Sequence, residues 1–380
     1  MQDVRRAVSY ARDPKRVAAE LADSVANPSA VVVLMFAAPR WDMNELAHEM
    51  ASAMSPVPVF GCTTAGEIGA AGFTTDGVVC MSLASDRLRV GAGLATGLSQ
   101  SALGAGREAT CMAAASLGLD AARLDWKRYV AVCLVDGRSG REESFIAGAA
   151  GGAPAIQFVG GSASDSHGPQ PAARIIAGGR AMSDAGLILL FESGVPFTPI
   201  MSEHMIPTGE PVVVTESDPA SRLVHELNGK PARAVYEEIV GVTGDDLTAA
   251  VAGRRPFAYY VGGRAYVRSV FGVEGDSLRF ASAVGNGIAL RPMRPGDMVA
   301  TTTESLEAAR EEVGGTITAL IAFNCLGRFY ETEAMGTTAE LGEVLTRYPV
   351  IGFNTFGEQM NALHVNHTLT ALAFGGGRDA

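Results

Sequence analysis

The stretch AVVVLMFAAPRWDMNELAHEMASAMSPVPVFGCTTAGEI, Ala30 to Ile68, decides the fold class. Its opening run, residues 30–39, is continuously apolar and rich in β-branched residues, as a strand buried on both faces is. Asp42 with Glu45 makes a capping-box-like helix start, after which Leu46, Met50 and Met54 recur at helical spacing. Beyond SPVP, residues 58–60 supply a second short strand that breaks at Gly61. Strand, helix and strand within about thirty residues describe a β-helix-β crossover.

The same grammar returns twice. RYVAVCLVDGRSG (128–140) leads to the pair Ser139 and Glu142, to Phe145 and Ile146 on an apolar face, and to AIQFVGGSASD (155–165). ITALIAFNCLGR (317–328) leads to the pair Thr337 and Glu340, to the face Leu341, Val344 and Leu345, and to YPVIGFNTFGEQ (348–359). Each copy ends in a glycine turn, and FGCTTAGEI and IGFNTFGEQ are close to one phrase. Strand pairs such as GVVCMSLAS and LRVGAGLAT follow the crossovers. SRLVHELNGKPARAVYEEIVG reads as a strand, an Asn228-Gly229 turn and a helix with Pro231 in its first turn. PFAYYVGG, AYVRSVFGV and SLRFASAVG form an antiparallel meander with a tight turn at Gly275-Asp276.

The expected architecture is mixed α/β (α+β), with repeated β-α-β crossovers, antiparallel meanders and two similar sheet domains. An N-terminal segment (1–29) precedes an N-terminal domain (30–220) and a C-terminal domain (221–380), divided where TESDPAS interrupts the apolar pattern. The length of 380 residues favours two domains, since single cores stop growing at roughly 250–300 residues.

The bulk numbers exclude several functions. A net charge of -11 and the lack of a Lys/Arg stripe interleaved with aromatics argue against nucleic acid. No signal-peptide core and no apolar run of the roughly 18 residues a membrane helix needs are present, so a cytoplasmic protein is expected. Five scattered cysteines without a CxxC pair argue against a disulfide framework, a structural zinc site and c-type haem attachment. No GxSxG, HExxH, Walker or GxGxxG phrase marks an enzyme class.

Ligands in open α/β sheets lie beyond the carboxyl ends of the parallel strands, which brings forward the loops and glycine turns there. Arg138 and Arg328 each follow a strand and a glycine; they could grip a ligand carboxylate or pair internally with Glu67, Glu142 or Glu358. Glu67 and Glu358 are expected to tie down turns by accepting backbone N–H groups. Cys62 and Cys325 stand at strand ends, as a nucleophile would or as small buried hydrophobes do. Cys62, Asn354 and Glu358 at the turns join the two arginines as the ligand-binding set. Of the six histidines, HVNH places His364 and His367 on opposite faces of a strand, where they cannot share a metal.

FGCTTAGEI, FVGGSASD, PTGEPVVVTESDPASRLVHELNGKPARAVYEEIVG, AFNCLGRFYETE and VIGFNTFGEQMNALHVNHTLTALAF together resemble the FIST domain, with its N- and C-terminal halves, from about residue 30 to 375. The resemblance implies a sensory module for a small ligand. A chain ending in GEQMNALHVNHTLTALAFG looks similar to the haem-binding, nitric-oxide-sensing branch. That branch implies haem b, with His364 or His204 on the iron, and a histidine kinase or other signalling protein as partner. A sensor of an amino acid or similar metabolite and a cysteine-nucleophile enzyme are the alternatives. A homodimer through a meander edge is compatible with either sensor.

Overall fold

The computed structural model describes residues 3–165 and 172–376. All three crossovers form. Strand Ala30–Ala37 runs parallel to Val59–Thr63 across helix Met43–Met54, and Tyr129–Asp136 parallel to Gln157–Ala163 across helix Glu142–Gly152. Strand Ile317–Cys325 runs parallel to Val350–Thr355 through two helices, Leu326–Met335 and Thr338–Thr346, of which only the second was expected. Asp42 caps its helix, accepting from the N–H groups of Asn44 and Glu45. Ser139 does not cap: the helix starts at Glu142, and the Ser139 hydroxyl turns back to the Asp136 carbonyl. Thr337 occupies the N-cap position without a side-chain cap bond.

One glycine in each copy explains how closely the parallel strands approach. Gly61, Gly160 and Gly352 lie opposite Met35, Cys133 and Ala322, and a Cβ on them would stand 1.6, 1.9 and 2.1 Å from those residues' carbonyl oxygens. Any side chain there would force the strands apart.

The chain forms two compact units. The first comprises the described residues up to Met201, Thr303–His364 and those from Leu369 on; the second comprises Ser202–Thr302 and Val365–Thr368. The chain leaves the first unit at Met201 and re-enters the second for four residues near its end. Residues 3–29 are part of the first unit's sheet layer: strand Asp3–Ser9 pairs with Val78–Ala84, and helix Pro14–Val25 buries Val17, Leu21 and Val25.

Among the described residues the first unit contains three six-stranded sheets of matching design. In order, the first is Asp3–Ser9, Val78–Ala84, Ala30–Ala37, Val59–Thr63, Ile175–Ala177 and Arg180–Met182. The second is Leu88–Thr96, Ala185–Ser193, Tyr129–Asp136, Gln157–Ala163, Glu358–Met360 and Leu363–Val365. The third is Phe197–Glu203, Thr368–Gly375, Ile317–Cys325, Val350–Thr355, Glu67–Gly69 and Gly72–Thr74. Each copy therefore hands the hairpin after its glycine turn to another copy's sheet: first to third, second to first, third to second. The exchange closes into a ring.

The sheets' inner faces share one core, in which the rings of Phe36, Phe323 and Phe353 meet at centroid distances of 4.7 to 6.4 Å. Helices cover the outer faces of the first two sheets.

The second unit is a nine-stranded sheet built on the meander Phe257–Val261, Arg264–Arg268, Val270–Glu274 and Ser277–Phe280. Helix Ala232–Val240 packs Tyr236 into its core. Asn228 and Gly229, at φ 52° and 72°, make the expected turn, and His225 lies in strand Leu223–Leu227. Among the described residues no helix is long and apolar enough to cross a membrane.

Candidate functional site

The exchanged hairpins bring the three glycine turns together at the carboxyl ends of the parallel strands. The Ala65 N–H donates to the Asn354 carbonyl (3.4 Å), the Ser164 N–H to the Thr63 carbonyl (3.0 Å) and the Ser162 N–H to the Gly357 carbonyl (2.9 Å). The Ser164 hydroxyl adds a bond of 2.6 Å to the Asn354 carbonyl. Turns far apart in sequence thus satisfy one another's backbone groups in the interior.

Strand register equates positions in the copies and separates what the repeat needs from what one copy adds. Thr63, Ser162 and Asn354 are equivalent, and all are polar. Their partners on the preceding strands are Ala37, Val135 and Asn324, so the third copy alone places an amide there. Asn324 Nδ2 donates to Asn354 Oδ1 (3.0 Å), and Asn324 Oδ1 accepts from Arg328 Nε (3.0 Å). Arg328 is wholly buried, one helical turn beyond Asn324.

The hairpins show the same departure. Ile68, Ile176 and Gln359 each pair with the close-approach glycine of another copy, and all three are buried. Cross-strand, Ile68 faces Phe73 and Ile176 faces Ala181, whereas Gln359 Nε2 donates to His364 Nδ1 (3.1 Å) and to Ser162 Oγ (3.0 Å). Gln359 Oε1 has no hydrogen-bond partner among the described residues although Gln359 is 0% exposed. An orphaned buried carbonyl costs about 1–3 kcal/mol. Two sister copies avoid that cost with isoleucine, so the repeat itself does not require the amide.

Glu67 accepts a backbone N–H, as expected of a turn tie, whereas the bond seen for Glu358 comes from a hydroxyl of its own turn. Thr64 Oγ1 donates to Glu67 Oε1 and Thr355 Oγ1 to Glu358 Oε1, both at 2.5 Å, and Glu67 Oε2 also accepts from the Gly77 N–H at 3.1 Å. Burial pushes the Glu67 carboxyl up to about 7, against the lowering effect of the Thr64 and Gly77 bonds. In the second copy Ile175 takes the register position of these glutamates.

Arg138 and Arg328 are not equivalent. Arg138 is half-exposed, stacks its guanidinium 4.8 Å from the Phe356 ring centre, and grips Asp165 through Nε (3.2 Å) and Nη2 (2.5 Å). Its internal partner is thus Asp165 rather than Glu67, Glu142 or Glu358. Burial raises the Asp165 carboxyl, but the Arg138 fork with the Ala172 and Ala173 N–H groups brings it below the usual range. Cys62 is buried, and burial pushes its thiol up, the opposite of what a thiolate nucleophile needs. Cys325 is buried at the N-cap of the helix that carries Arg328.

The histidines fold differently from the expectation of one shared strand. His364 lies in strand Leu363–Val365 of the first unit, while His367 sits in a turn at φ 54° and belongs with His204 to the second unit. His364 and His204 are 1% and 3% exposed. As the Gln359 amide is oriented, His364 Nδ1 accepts, which leaves the imidazole proton on Nε2, the nitrogen an iron would take. A surface depression of about 860 Å³ beside Trp126, Pro154 and Asn361 is lined without any His, Cys, Met or Tyr.

Sequence reasoning did not single out Asn324, Ser162, Asp165 or Gln359. A signal for Gln359 was available: FGCTTAGEI and IGFNTFGEQ end on Ile68 and Gln359, and that last letter is where they part in polarity.

A family model of the FIST N domain matches residues 31–230, and one of the FIST C domain matches residues 232–361. No curated protein matches the chain. Among solved structures it is similar to a cyanuric acid hydrolase from A. caulinodans, at 9% identity and a TM-score of 0.38, with 98% of this chain and 99% of that one covered. It is also similar to phosphoribosylformylglycinamidine synthase II from Thermotoga maritima, at 11% identity and a TM-score of 0.18, covering 92% and 66%. Likenesses this distant carry no argument about fold or chemistry. The two domain matches cover most of the chain in the order N then C, and the chain belongs to the FIST family.

Proposed function

We propose that this chain is a cytoplasmic sensor of a small polar metabolite, an amino acid or a molecule like it, that signals through a separate partner protein. FIST domains are sensory domains of signal transduction that bind small ligands. The observation that carries the finer reading is Gln359: a buried amide with an orphaned carbonyl, at the strand-end junction, where both sister copies have isoleucine. A ligand N–H or O–H would complete it. Arg138, half-exposed over Phe356 beside the same turns, supports a carboxylate on that ligand, in exchange for its bond to Asp165. The protonated, buried Cys62 supports binding rather than covalent catalysis.

A thermal-shift series with amino acids, amides and related metabolites tests this reading. A true ligand at a hundred times its Kd adds about 2.7 kcal/mol of stability. The expected result is a shift in the wild type that disappears in Gln359→Ile. Equal shifts in both proteins would sink the assignment of the site.

Haem-based nitric oxide sensing, with a histidine kinase as partner, is the reading that the family resemblance adds. It meets the buried histidines described above and is tested by the visible spectrum after adding haem b. A Soret band that moves with nitric oxide and is lost in His364→Ala or His204→Ala would establish it over the metabolite reading; no band would remove it.

A further inference from the structure

The register that equates the three copies also equates the residues by which each hairpin returns to its copy's last strand. Val78, Gly186 and Leu369 stand opposite Ala37, Val135 and Asn324, so Asp76, Asp184 and His367, two residues earlier in each, are equivalent. All three take the left-handed conformation, at φ 60°, 52° and 54°. A backbone that bends this way in every copy belongs to the repeat. The side chain does not, since two copies carry aspartate and the third carries histidine.

The second copy shows what the position is for. Asp184 accepts from the Ser99 N–H and the Ser99 hydroxyl, both at 2.7 Å, and so ties the return to the start of helix Leu98–Ser116, which follows the edge strand Leu88–Thr96. In the third copy the edge strand Phe197–Glu203 and the corresponding helix Met298–Glu312 are separated by residues 204–297, nearly all of the second unit. There the return ties to that insertion instead. Ser269 Oγ lies 2.8 Å from His367 Nδ1, and Ser282 Oγ donates to Asn366 Oδ1 at 2.8 Å. Asn366 and His367 are buried, whereas Thr75 and Asp76, their first-copy equivalents, are exposed. Ser269 is the one residue between strands Arg264–Arg268 and Val270–Glu274, and its carbonyl accepts from the Ala281 N–H at 2.9 Å, beside Ser282.

Three residues before His367 stands His364, whose ring is held by Gln359. The sister pairs are Ile68 with Phe73 and Ile176 with Ala181, also three residues before Asp76 and Asp184. The copy that changes this pair to amide and imidazole is thus the copy whose return is fastened to the second unit. One residue, Val365, separates His364 from Asn366, and the chain passes from the first unit to the second between His364 and Val365. So short a segment, anchored at both ends, has no slack to absorb a displacement of His364.

We propose that the return Val365–Thr368 is a strap that couples the Gln359–His364 pair to the meander strands at Ser269 and Ser282. The proposal rests on the metabolite reading for what sets the state of Gln359: a ligand that engages its carbonyl shifts the amide, the amide carries His364, and the strap carries the shift to the two serines. Coupling of this kind is reciprocal, so whatever engages the meander at those serines alters the junction in turn.

Hydrogen exchange of the whole chain, read by mass spectrometry with no metabolite present, tests the coupling. The double variant Gln359→Ile with His364→Phe gives the third hairpin the first copy's pair. Segments 269–271 and 280–282 should then exchange at least about fivefold faster, the lower end of ordinary coupling between sites, while helix Ala232–Val240 of the same unit keeps its rate. In the other direction Ser282→Ala, which takes the donor from Asn366, should speed exchange over residues 358–364 by a similar factor. If the double variant does not fold, Ser282→Ala decides alone. Unchanged rates at the far end, or an increase shared by helix Ala232–Val240, would overturn the proposal. Because the measurement contains no metabolite, a thermal-shift series without a hit removes the metabolite reading and leaves the outcome for the strap as it stands.

Discussion

Gln359 Nε2 lies 3.0 Å from Ser162 Oγ and 3.1 Å from His364 Nδ1, so a residue of the third copy's hairpin binds the second copy's strand at its glycine turn. The apolar residues at the equivalent positions, Ile68 and Ile176, make no such link. Replacing Gln359 with isoleucine restores the pattern of the sister copies. Removing an orphaned buried carbonyl is favourable, but the change takes the donor from Ser162 Oγ and His364 Nδ1, so a net loss of about 1–3 kcal/mol is expected. Ligand response should vanish. Urea unfolding beside the thermal-shift series separates the two effects, and a loss above about 3 kcal/mol would show the amide to be structural.

Glu67 makes stability depend on pH. Its folded-state pKa, raised by burial to about 7, stands above its ordinary value of 4.5, so the folded chain holds a proton that the unfolded chain releases between those values. Stability from this group is complete below about 4.5 and falls as pH rises to about 7, by roughly 3 kcal/mol. In Glu67→Gln the amide oxygen can accept from Gly77 while the amide nitrogen faces Thr64, whose hydroxyl then accepts instead of donating. The variant should lose this fall. Urea midpoints at pH 5 and pH 8 measure it, and parallel pH profiles for the two proteins would refute the assignment.

The close-approach glycines should be the least replaceable residues of the crossovers. Gly61→Ala, Gly160→Ala and Gly352→Ala each place a methyl within 1.6 to 2.1 Å of a carbonyl oxygen fixed in the neighbouring strand. Each should cost more than about 3 kcal/mol or leave no soluble protein. Gly151→Ala, in helix Glu142–Gly152 with open space around its Cβ position, should instead stabilise by about 0.5–1 kcal/mol. Similar melting temperatures for all four variants would contradict the packing account.

Arg138→Lys keeps the charge and loses the fork on Asp165. Because Arg138 is half in solvent, the stability loss should be about 1 kcal/mol or less and should shrink as salt is added. A loss insensitive to salt would point to the stacking on Phe356 instead. If a ligand carboxylate takes the guanidinium, the same variant should weaken metabolite binding by more than it weakens the fold.

Much of the fold was legible because the crossovers are local. The buried strand AVVVLMFA, the Asp42 cap and the glycine turn all lie within about forty residues, where periodicity and capping chemistry act directly. Helix Leu326–Met335 escaped notice because its buried face carries Arg328, Glu331 and Thr332, which hide the apolar pattern. His364 and His367 read as one strand because three residues of spacing say nothing of a left-handed turn between them.

By itself the sequence determined that one β-α-β unit occurs three times, where its turns fall, and that its glycines serve backbone geometry. Only the tertiary structure decided what the turns are for. Each hairpin crosses to another copy's sheet, and the register of that exchange sets Gln359 against Ile68 and Ile176, and Asn324 against Ala37 and Val135. Such pairings depend on backbone hydrogen bonds between segments up to nearly three hundred residues apart, as between Glu67 and Phe353, and local propensity carries no record of them.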